Sequence, residues 1–421
     1  MKKVALTPPK GWNSWDIYGA SVTEEEVRSN ARVMADKLKS SGWDYVVVDI
    51  QWYEPTALTS TYNTFASVCM DEFSRVIPAV NRFPSSEGGN GFKPLADYIH
   101  SLGLKFGIHI LRGIPREAVH KRLPVKGTHL TADEIATNKI CPWNSDMYGV
   151  NTELAEGQLY YDSLLELYAS WDIDFIKVDD IAFSKIYPNA HLDEIKAIRK
   201  AIDKVDRNIV LSLSPGPAHL RDGAFLQQNA NMWRLTDDFW DEWPMILDMF
   251  ERCNSWSPFI RPGNWPDCDM LPLGRIAIRS DERGLSERDT RLSKDEQQTM
   301  MTLWSIFQSP LMFGGDMTQL DEWTLSLLNN EEINAMHLKL INQKQVYRDN
   351  TWVIWEAMSP HDSYVAVFNI SDTVAVLPEE LKNEYLPASD YLELWRGKDK
   401  SVLKETVNPH ASYIFRALSK N

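Results

Sequence analysis

The chain has 421 residues, 43% of them hydrophobic, and a formal net charge of −15. That length exceeds one small domain and suits a large domain with a smaller one attached. The acidic balance, with no block of five like charges, argues against nucleic acid and anionic membrane surfaces as partners and favours a neutral substrate.

In chain order, GWNSW at 11–15 ends a first short strand. Thr23 and Glu26 stand at capping-box spacing and open a helix over 22–41. Residues 43–49 follow with Tyr45, Val46, Val47 and Val48 in an unbroken apolar run that stops at Asp49. A strand buried on both faces of a parallel sheet reads this way, with its C-terminal end toward a ligand. A helical pattern over 92–102 stops at Gly103, a good C-cap. Strands are predicted at 104–110, 173–179, 208–214 and 231–236, and near 267–271 and 306–312, with amphipathic helices at 155–171 and 191–205. Eight strands in a repeated β-then-α order predict a (β/α)₈ TIM barrel over residues 1–335. An open doubly wound sheet is the alternative, but no GxGxxG loop follows any strand. Beyond 345, polar and apolar residues alternate between turn signals, which predicts a C-terminal antiparallel β-sandwich over 336–421.

The strand ends of such a barrel carry the chemistry. Read in order they are Trp15, Asp49, His109, Asp179, Ser214, Arg234 with Asp237 and Asp238, and Asp269. Acids at a buried mouth cost desolvation, so four acidic ends point to a site. In FIKVDD (175–180), Lys177 and Asp179 share one face of a strand, and a nearby lysine keeps a carboxylate ionised as a nucleophile requires. Asp180 then points away. The plainer reading is a Lys–Asp pair filling a barrel layer. In WRLTDDFWD (233–241), two acids lie between Trp233 and Trp240; partial desolvation there raises a carboxyl and suits a general acid. The plainer reading is a helix cap. Two carboxylates across one mouth fit glycoside hydrolysis, where a spacing of about 5–5.5 Å gives retention and about 6.5–9.5 Å inversion. Sixteen tryptophans suit stacking on sugar rings, although most must serve the core.

GWNSW, the acid-ended second strand, KVD at 177–179, WRLTDD at 233–238 and PGNWPDCDM at 262–270 occur in that order. The chain thereby resembles glycoside hydrolase family 27, the α-galactosidase and α-N-acetylgalactosaminidase family. The resemblance implies a retaining mechanism without metal or cofactor, Asp179 as nucleophile and Asp238 as acid/base. It implies Trp15, Asp49, Lys177, Arg234 and Asp269 as sugar-holding groups, and places His109 where relatives often have Tyr and Asp237 where they often have a small residue. Ile50, Trp52 and Ser214 complete the expected binding set. The family's second strand usually ends D-D-C-W, whereas this one ends D-I-Q-W. Ile50 thus replaces a carboxylate on the C4–C6 side of galactose. An aliphatic group leaves a hydroxymethyl unpaired at a cost of about 1–3 kcal/mol. A sugar without C6, β-L-arabinopyranose, escapes that cost, so removal of terminal β-L-arabinopyranosyl and/or α-D-galactosyl units is expected. The plainer reading is that Ile50 packs under the site while Gln51 or Asp49 holds O6. SLSPGP at 212–217 lacks the Glu expected near the sugar 2-position, which leaves an N-acetylgalactosaminidase as an alternative, with Pro217 crowding that pocket.

Cys141 falls near a family disulfide position whose partner site is Ile181, so the bond is absent. Cys268 is expected to pack as a small apolar residue. The four cysteines form no CxxC pair, and no stretch of eighteen apolar residues offers a membrane span. MKKVALTPPK has no apolar signal-peptide core, which predicts a cytoplasmic protein, or a periplasmic or secreted one if a leader was removed. The expected partner is a small oligosaccharide or glycoside, and a homo-oligomer is allowed. The inserts 53–90 and 112–150 shape the rim, where Phe83, Trp143 or Tyr148 meets a leaving group or a neighbouring subunit. A non-catalytic sugar-binding barrel is the alternative of a different class. A metal hydrolase would want a His-x-His cluster, and His109 stands alone.

Overall fold

The computed structural model describes residues 3–281, 285–387, 390–404 and 406–418. Eight parallel strands form the first unit: β1 (Lys10–Asn13), β2 (Tyr45–Val48), β3 (Lys105–Leu111), β4 (Phe175–Asp179), β5 (Val210–Leu213), β6 (Met232–Arg234), β7 (Trp265–Asp267) and β8 (Leu311–Phe313). Their order in the sheet is β7-β6-β5-β4-β3-β2-β1-β8. Closure comes just beyond β7. There the Leu271 N–H donates to the Met312 carbonyl at 2.8 Å, and the Gly314 N–H donates to the Leu271 carbonyl at 3.0 Å. The β2 run Tyr45–Val48 is buried throughout, as a strand covered on both faces must be. Gly11 permits close approach of β1 to β2: a Cβ there would lie 2.2 Å from the Tyr45 carbonyl oxygen.

The helix Glu24–Lys37 begins at the Thr23–Glu26 capping box, and the helices Lys93–Ser101, Ala155–Ser170 and Leu192–Lys204 match their predicted ranges closely. The strand predicted near 306–312 starts later, at Leu311. Residues 294–307 are instead a helix behind a Ser293–Glu296 capping box, buried from Gln297 to Phe307. It is wedged between the barrel and the C-terminal sheet. An apolar run covered on all sides loses the 3.6-residue period that distinguishes helix from strand.

The C-terminal unit is one five-stranded antiparallel sheet: β9 (Ile341–Arg348), β10 (Trp352–Met358), β11 (Ser363–Asn369), β12 (Tyr391–Glu393) and β13 (Ser412–Ala417), in the order β9-β10-β11-β13-β12. Alternation assigns its two faces. Val353, Trp355, Ala366 and Phe368 join the main core, while Trp352, Ile354, Val365 and Val367 enter a separate cluster with Leu381, Leu386 and Leu403. Among the described residues, the helix Glu379–Tyr385 and the turn Lys400–Lys404 thus cover the face that a second sheet covers in a sandwich. The inner face is stitched to the helix Lys294–Phe307 by Thr302 Oγ1 with Ser412 Oγ (2.9 Å) and Gln298 Nε2 with the Ser412 carbonyl (2.9 Å). Among the described residues no helix is long and apolar enough to cross a membrane.

Candidate active site at the barrel mouth

A cavity of about 180 Å³ opens at the C-terminal ends of the strands, bounded by Trp15, Asp49, Ile50, Lys177, Asp179 and Asp238. The insert after β2 adds Tyr62, and the insert after β3 adds Pro142 and Trp143. Trp15 stacks on Tyr62 at 6.0 Å between ring centroids, and Tyr62 meets Trp143 at 5.6 Å, so three aromatic rings run outward from the sugar-sized floor. Phe183, Ser184, Lys185, Pro215 and Asp237 complete the rim together with Asp180, which borders the cavity although strand alternation turns it away.

On the β2–β4 side each of Asp49 and Asp179 has a lysine or histidine nitrogen as its partner. Asp49 is buried; its Oδ2 accepts from Lys177 Nζ at 2.9 Å and from Asn13 Nδ2 at 2.8 Å, and its Oδ1 accepts from the Ile50 N–H at 2.9 Å. Burial alone would raise this carboxyl, but Lys177 and His109 outweigh it and hold the group below the usual carboxylate range. Asp179 Oδ2 lies 3.1 Å from His109 Nε2, and its Oδ1 accepts the Asp180 N–H at 2.8 Å. Here too burial pushes upward, and the His109 hydrogen bond with the charges of His109 and Lys177 pulls the carboxyl down to about 2. Asp179 is therefore ionised throughout the working range of an enzyme. Lys177, expected to partner Asp179, pairs directly with Asp49, and the direct partner of Asp179 is His109. His109 is wholly buried behind both acids and forms no part of the cavity wall.

The β6–β7 side has the opposite balance. Arg234 Nη2 reaches Asp269 Oδ2 at 2.6 Å and Asp238 Oδ1 at 3.1 Å, so one guanidinium serves both. Asp269 also accepts the Phe239 N–H at 2.8 Å. Desolvation, followed by the negative charges of Asp269 and Asp179, raises the Asp238 carboxyl against the pull of Arg234. Its side chain keeps 49% of its surface open. Asp267 lies deeper, and burial together with Asp269 pushes it up to about 7.

Several expected residues fall elsewhere. Arg234 and Asp269 lie a layer below the main cavity, around a void of about 20 Å³ that they share with Asn13, Lys177, Ser212 and Asp267. Trp52 is outside the site: it is wholly buried among Tyr53, Phe92, Tyr168 and Trp171, and its Nε1 donates to the His109 carbonyl at 2.7 Å. It braces β3 and stacks on no ligand surface. Ser214 is also withdrawn. Its N–H donates to the Val178 carbonyl at 2.8 Å, its carbonyl accepts from Ile181 and Ala182, and the next residue, Pro215, stands at the cavity instead. Gln51 does not reach the cavity either; its Nε2 donates to Asp146 Oδ2 at 2.6 Å. Asn13, Tyr62, Phe183 and Lys185 do not stand out in the sequence. Strand alternation in GWNSW could have found Asn13, whereas the others sit on long loops that carry no periodic signal.

All four cysteines are free thiols, with Cys253 and Cys268 buried side by side at 3.4 Å between sulfurs. Among the described residues, one group of metal-type ligands gathers, Asp97, His100 and Asp172, at the opposite end of the barrel. Lys93 already pairs with both of its aspartates and Arg207 with Asp172.

The Melibiase_2 family, described as Alpha galactosidase A, matches residues 146–339. A GH27 β-L-arabinopyranosidase from Geobacillus stearothermophilus is 54% identical, over 99% of this chain and 98% of that one, with a TM-score of 0.93. A putative α-N-acetylgalactosaminidase from Bacillus halodurans is 49% identical, over 100% and 99% of the two chains, with a TM-score of 0.86. Alpha-galactosidase 2 of Arabidopsis thaliana is 25% identical over 98% of this chain and 89% of that protein. The chain belongs to glycoside hydrolase family 27, and it is a glycosidase.

Proposed function

We propose that this glycosidase removes a terminal pyranosyl unit with retention of configuration, with Asp179 as nucleophile and Asp238 as acid/base, and that it cleaves β-L-arabinopyranosides at least as well as α-D-galactosides. In the first step an Asp179 oxygen attacks C1, the bond from C1 to the leaving oxygen breaks, and the Asp238 proton moves to that oxygen. In the second, Asp238 takes a proton from water as the water oxygen attacks C1 and the bond to Asp179 breaks. The product keeps its anomeric configuration. The two carboxyls are supported in these roles by their opposed environments, one held ionised by cations and one raised by neighbouring acids.

The observation that carries the substrate preference is Ile50. It is 2% exposed, yet it bounds the cavity beside Asp49, at the position where the family's usual pattern has a carboxylate. Gln51 does not substitute for it, because that side chain is wholly buried away from the cavity, with its Nε2 on Asp146. A hydroxymethyl placed against Ile50 loses its hydrogen bonds, and a pentopyranose has none to lose. The 54% identical relative named as a β-L-arabinopyranosidase supports the same reading. A 2-acetamido sugar needs a small residue such as Ser214 to open room at the pocket, and Ser214 is buried behind the cavity wall. The test is kcat/KM on the nitrophenyl β-L-arabinopyranoside and the nitrophenyl α-D-galactopyranoside. The pentoside should be cleaved at least as well, and a large galactoside preference removes the proposal.

A further inference from the structure

We infer that Arg112 is a positioning residue for the reaction: its guanidinium locks the left-handed turn at Asp180 and so fixes the N–H that orients the nucleophile. The inference rests on Asp179 being that nucleophile.

Arg112 follows β3 directly and is buried. Its Nε donates to the Asp180 carbonyl at 2.6 Å, its Nη2 pairs with Asp180 Oδ2 at 2.8 Å, and its Nη1 reaches Glu194 Oε1 at 3.1 Å. Both terminal nitrogens also donate to the Lys139 carbonyl at 3.2 Å. The Arg112 backbone N–H donates to the Asp179 carbonyl at 3.1 Å. Arg112 therefore holds the carbonyl of the peptide that joins Asp179 to Asp180, together with the carbonyl and carboxylate of Asp180 just beyond it.

That peptide matters because its N–H is one of two donors to the Asp179 carboxylate. It holds Oδ1, and His109 Nε2 holds Oδ2. Asp180 has φ +54°, a conformation that an L-residue with a Cβ enters at a cost. Released, the Asp179–Asp180 peptide could turn as a unit, relaxing the Asp180 φ as the Asp179 ψ changes with it, so that the N–H swings off Oδ1 and the carboxylate is free to rotate about its last torsion. Glu194 anchors the far end of the clamp: it is buried on the helix Leu192–Lys204 and accepts from the Tyr161 hydroxyl and the Val150 N–H. A lysine cannot replace the fork, since one ammonium cannot span the Asp180 carbonyl, the Asp180 carboxylate and Glu194 together.

The test uses Arg112→Lys and Asp180→Asn in the full-length protein. Each is reacted with an activated difluoro-sugar probe, with and without a hydroxymethyl at C5, which traps the glycosyl-enzyme. The label is located by mass spectrometry, and active sites are counted by burst titration. For Arg112→Lys the trapping rate per active site should fall about 100-fold, the penalty of a misplaced reacting group. KM should be nearly unchanged and the label should still be on Asp179. Asp180→Asn keeps the carbonyl that Arg112 grips, so its fall should be smaller. The inference is overturned by a wild-type rate per active site in Arg112→Lys. It is equally overturned by a loss explained wholly by fewer folded sites, or by a raised KM at constant kcat. A label on another residue refutes the nucleophile assignment instead, which keeps the two failures apart.

Discussion

The two sides of the barrel mouth are built from the same side chain under opposite charge balance. On the β2–β4 side, Asp49 and Asp179 face Lys177 and His109, one cationic or donor partner to each acid. On the β6–β7 side, Asp238, Asp267 and Asp269 crowd around Arg234. Desolvation pushes Asp49, Asp179, Asp238 and Asp267 upward on both sides. What separates Asp179 at about 2 from Asp267 at about 7 is the ratio of donors to acids. In the proposed mechanism, environment rather than residue type divides the labour, with the ionised acid attacking and the raised one donating.

The largest expected effect comes from removing the ionised acid. Asp179→Asn should lower kcat by about 10⁴-fold or more while leaving the fold and sugar affinity intact, read by steady-state kinetics and calorimetric titration of the product sugar. Substantial residual turnover would place the nucleophile elsewhere. Next is the raised acid. Asp238→Ala should cost about 10²–10⁴-fold on substrates with poor leaving groups and much less in the first step with dinitrophenolate, which needs no proton. Equal losses on both would contradict the division between the two sides.

The contrast between the two sides is only partly legible in the sequence. Asp49, Asp179 and the Asp237–Asp238 pair stand out because a carboxylate at the end of an apolar strand costs desolvation unless a cation or a ligand meets it. The pairing does not, since alternation says which residues face inward but not which strand's cation each acid meets. Lys177 therefore reads as the partner of its neighbour Asp179, whereas it crosses to Asp49. Trp52 and Ser214 mislead for a related reason: proximity to a strand end is not orientation, and both turn toward backbone carbonyls behind the mouth. Arg112 carries no signal, being one ordinary arginine at the start of a long insert. The last strand begins several residues later than its pattern suggests, because the helix Lys294–Phe307 is covered on every side.

A third change tips the cation-rich side toward its opposite. Ile50→Asp adds a carboxylate beside Asp49, where a C6 hydroxyl could then donate. One hydrogen-bonding group of this kind changes discrimination by about 1–3 kcal/mol, so the galactoside to arabinopyranoside ratio of kcat/KM should rise about 5–150-fold. The added charge should also raise Asp179 from about 2, which moves the acidic limb of kcat/KM to higher pH. An unchanged ratio would mean that Ile50 does not face the sugar's C5 side.

The smallest effect is the most specific to the acid-rich side. Asp269→Asn removes a negative charge that raises both Asp238 and Asp267, and it releases Arg234 to pair with Asp238 alone. Both consequences lower the Asp238 carboxyl. Because Asp238 must be protonated to donate, the basic limb of kcat/KM should move to lower pH while the acidic limb stays with Asp179. Stability should respond in a matching window. The folded Asp267 carboxyl, at about 7, lies above its ordinary value of 3.8. The unfolded chain therefore ionises first, and stability is lost as pH rises from about 4 to about 7. In Asp269→Asn that loss should shrink, so the difference in Tm between the two pH values narrows. A basic limb that moves upward, or a Tm difference that widens, would show that Asp269 acts on this side through its hydrogen bonds to Arg234 and Phe239 and not through its charge.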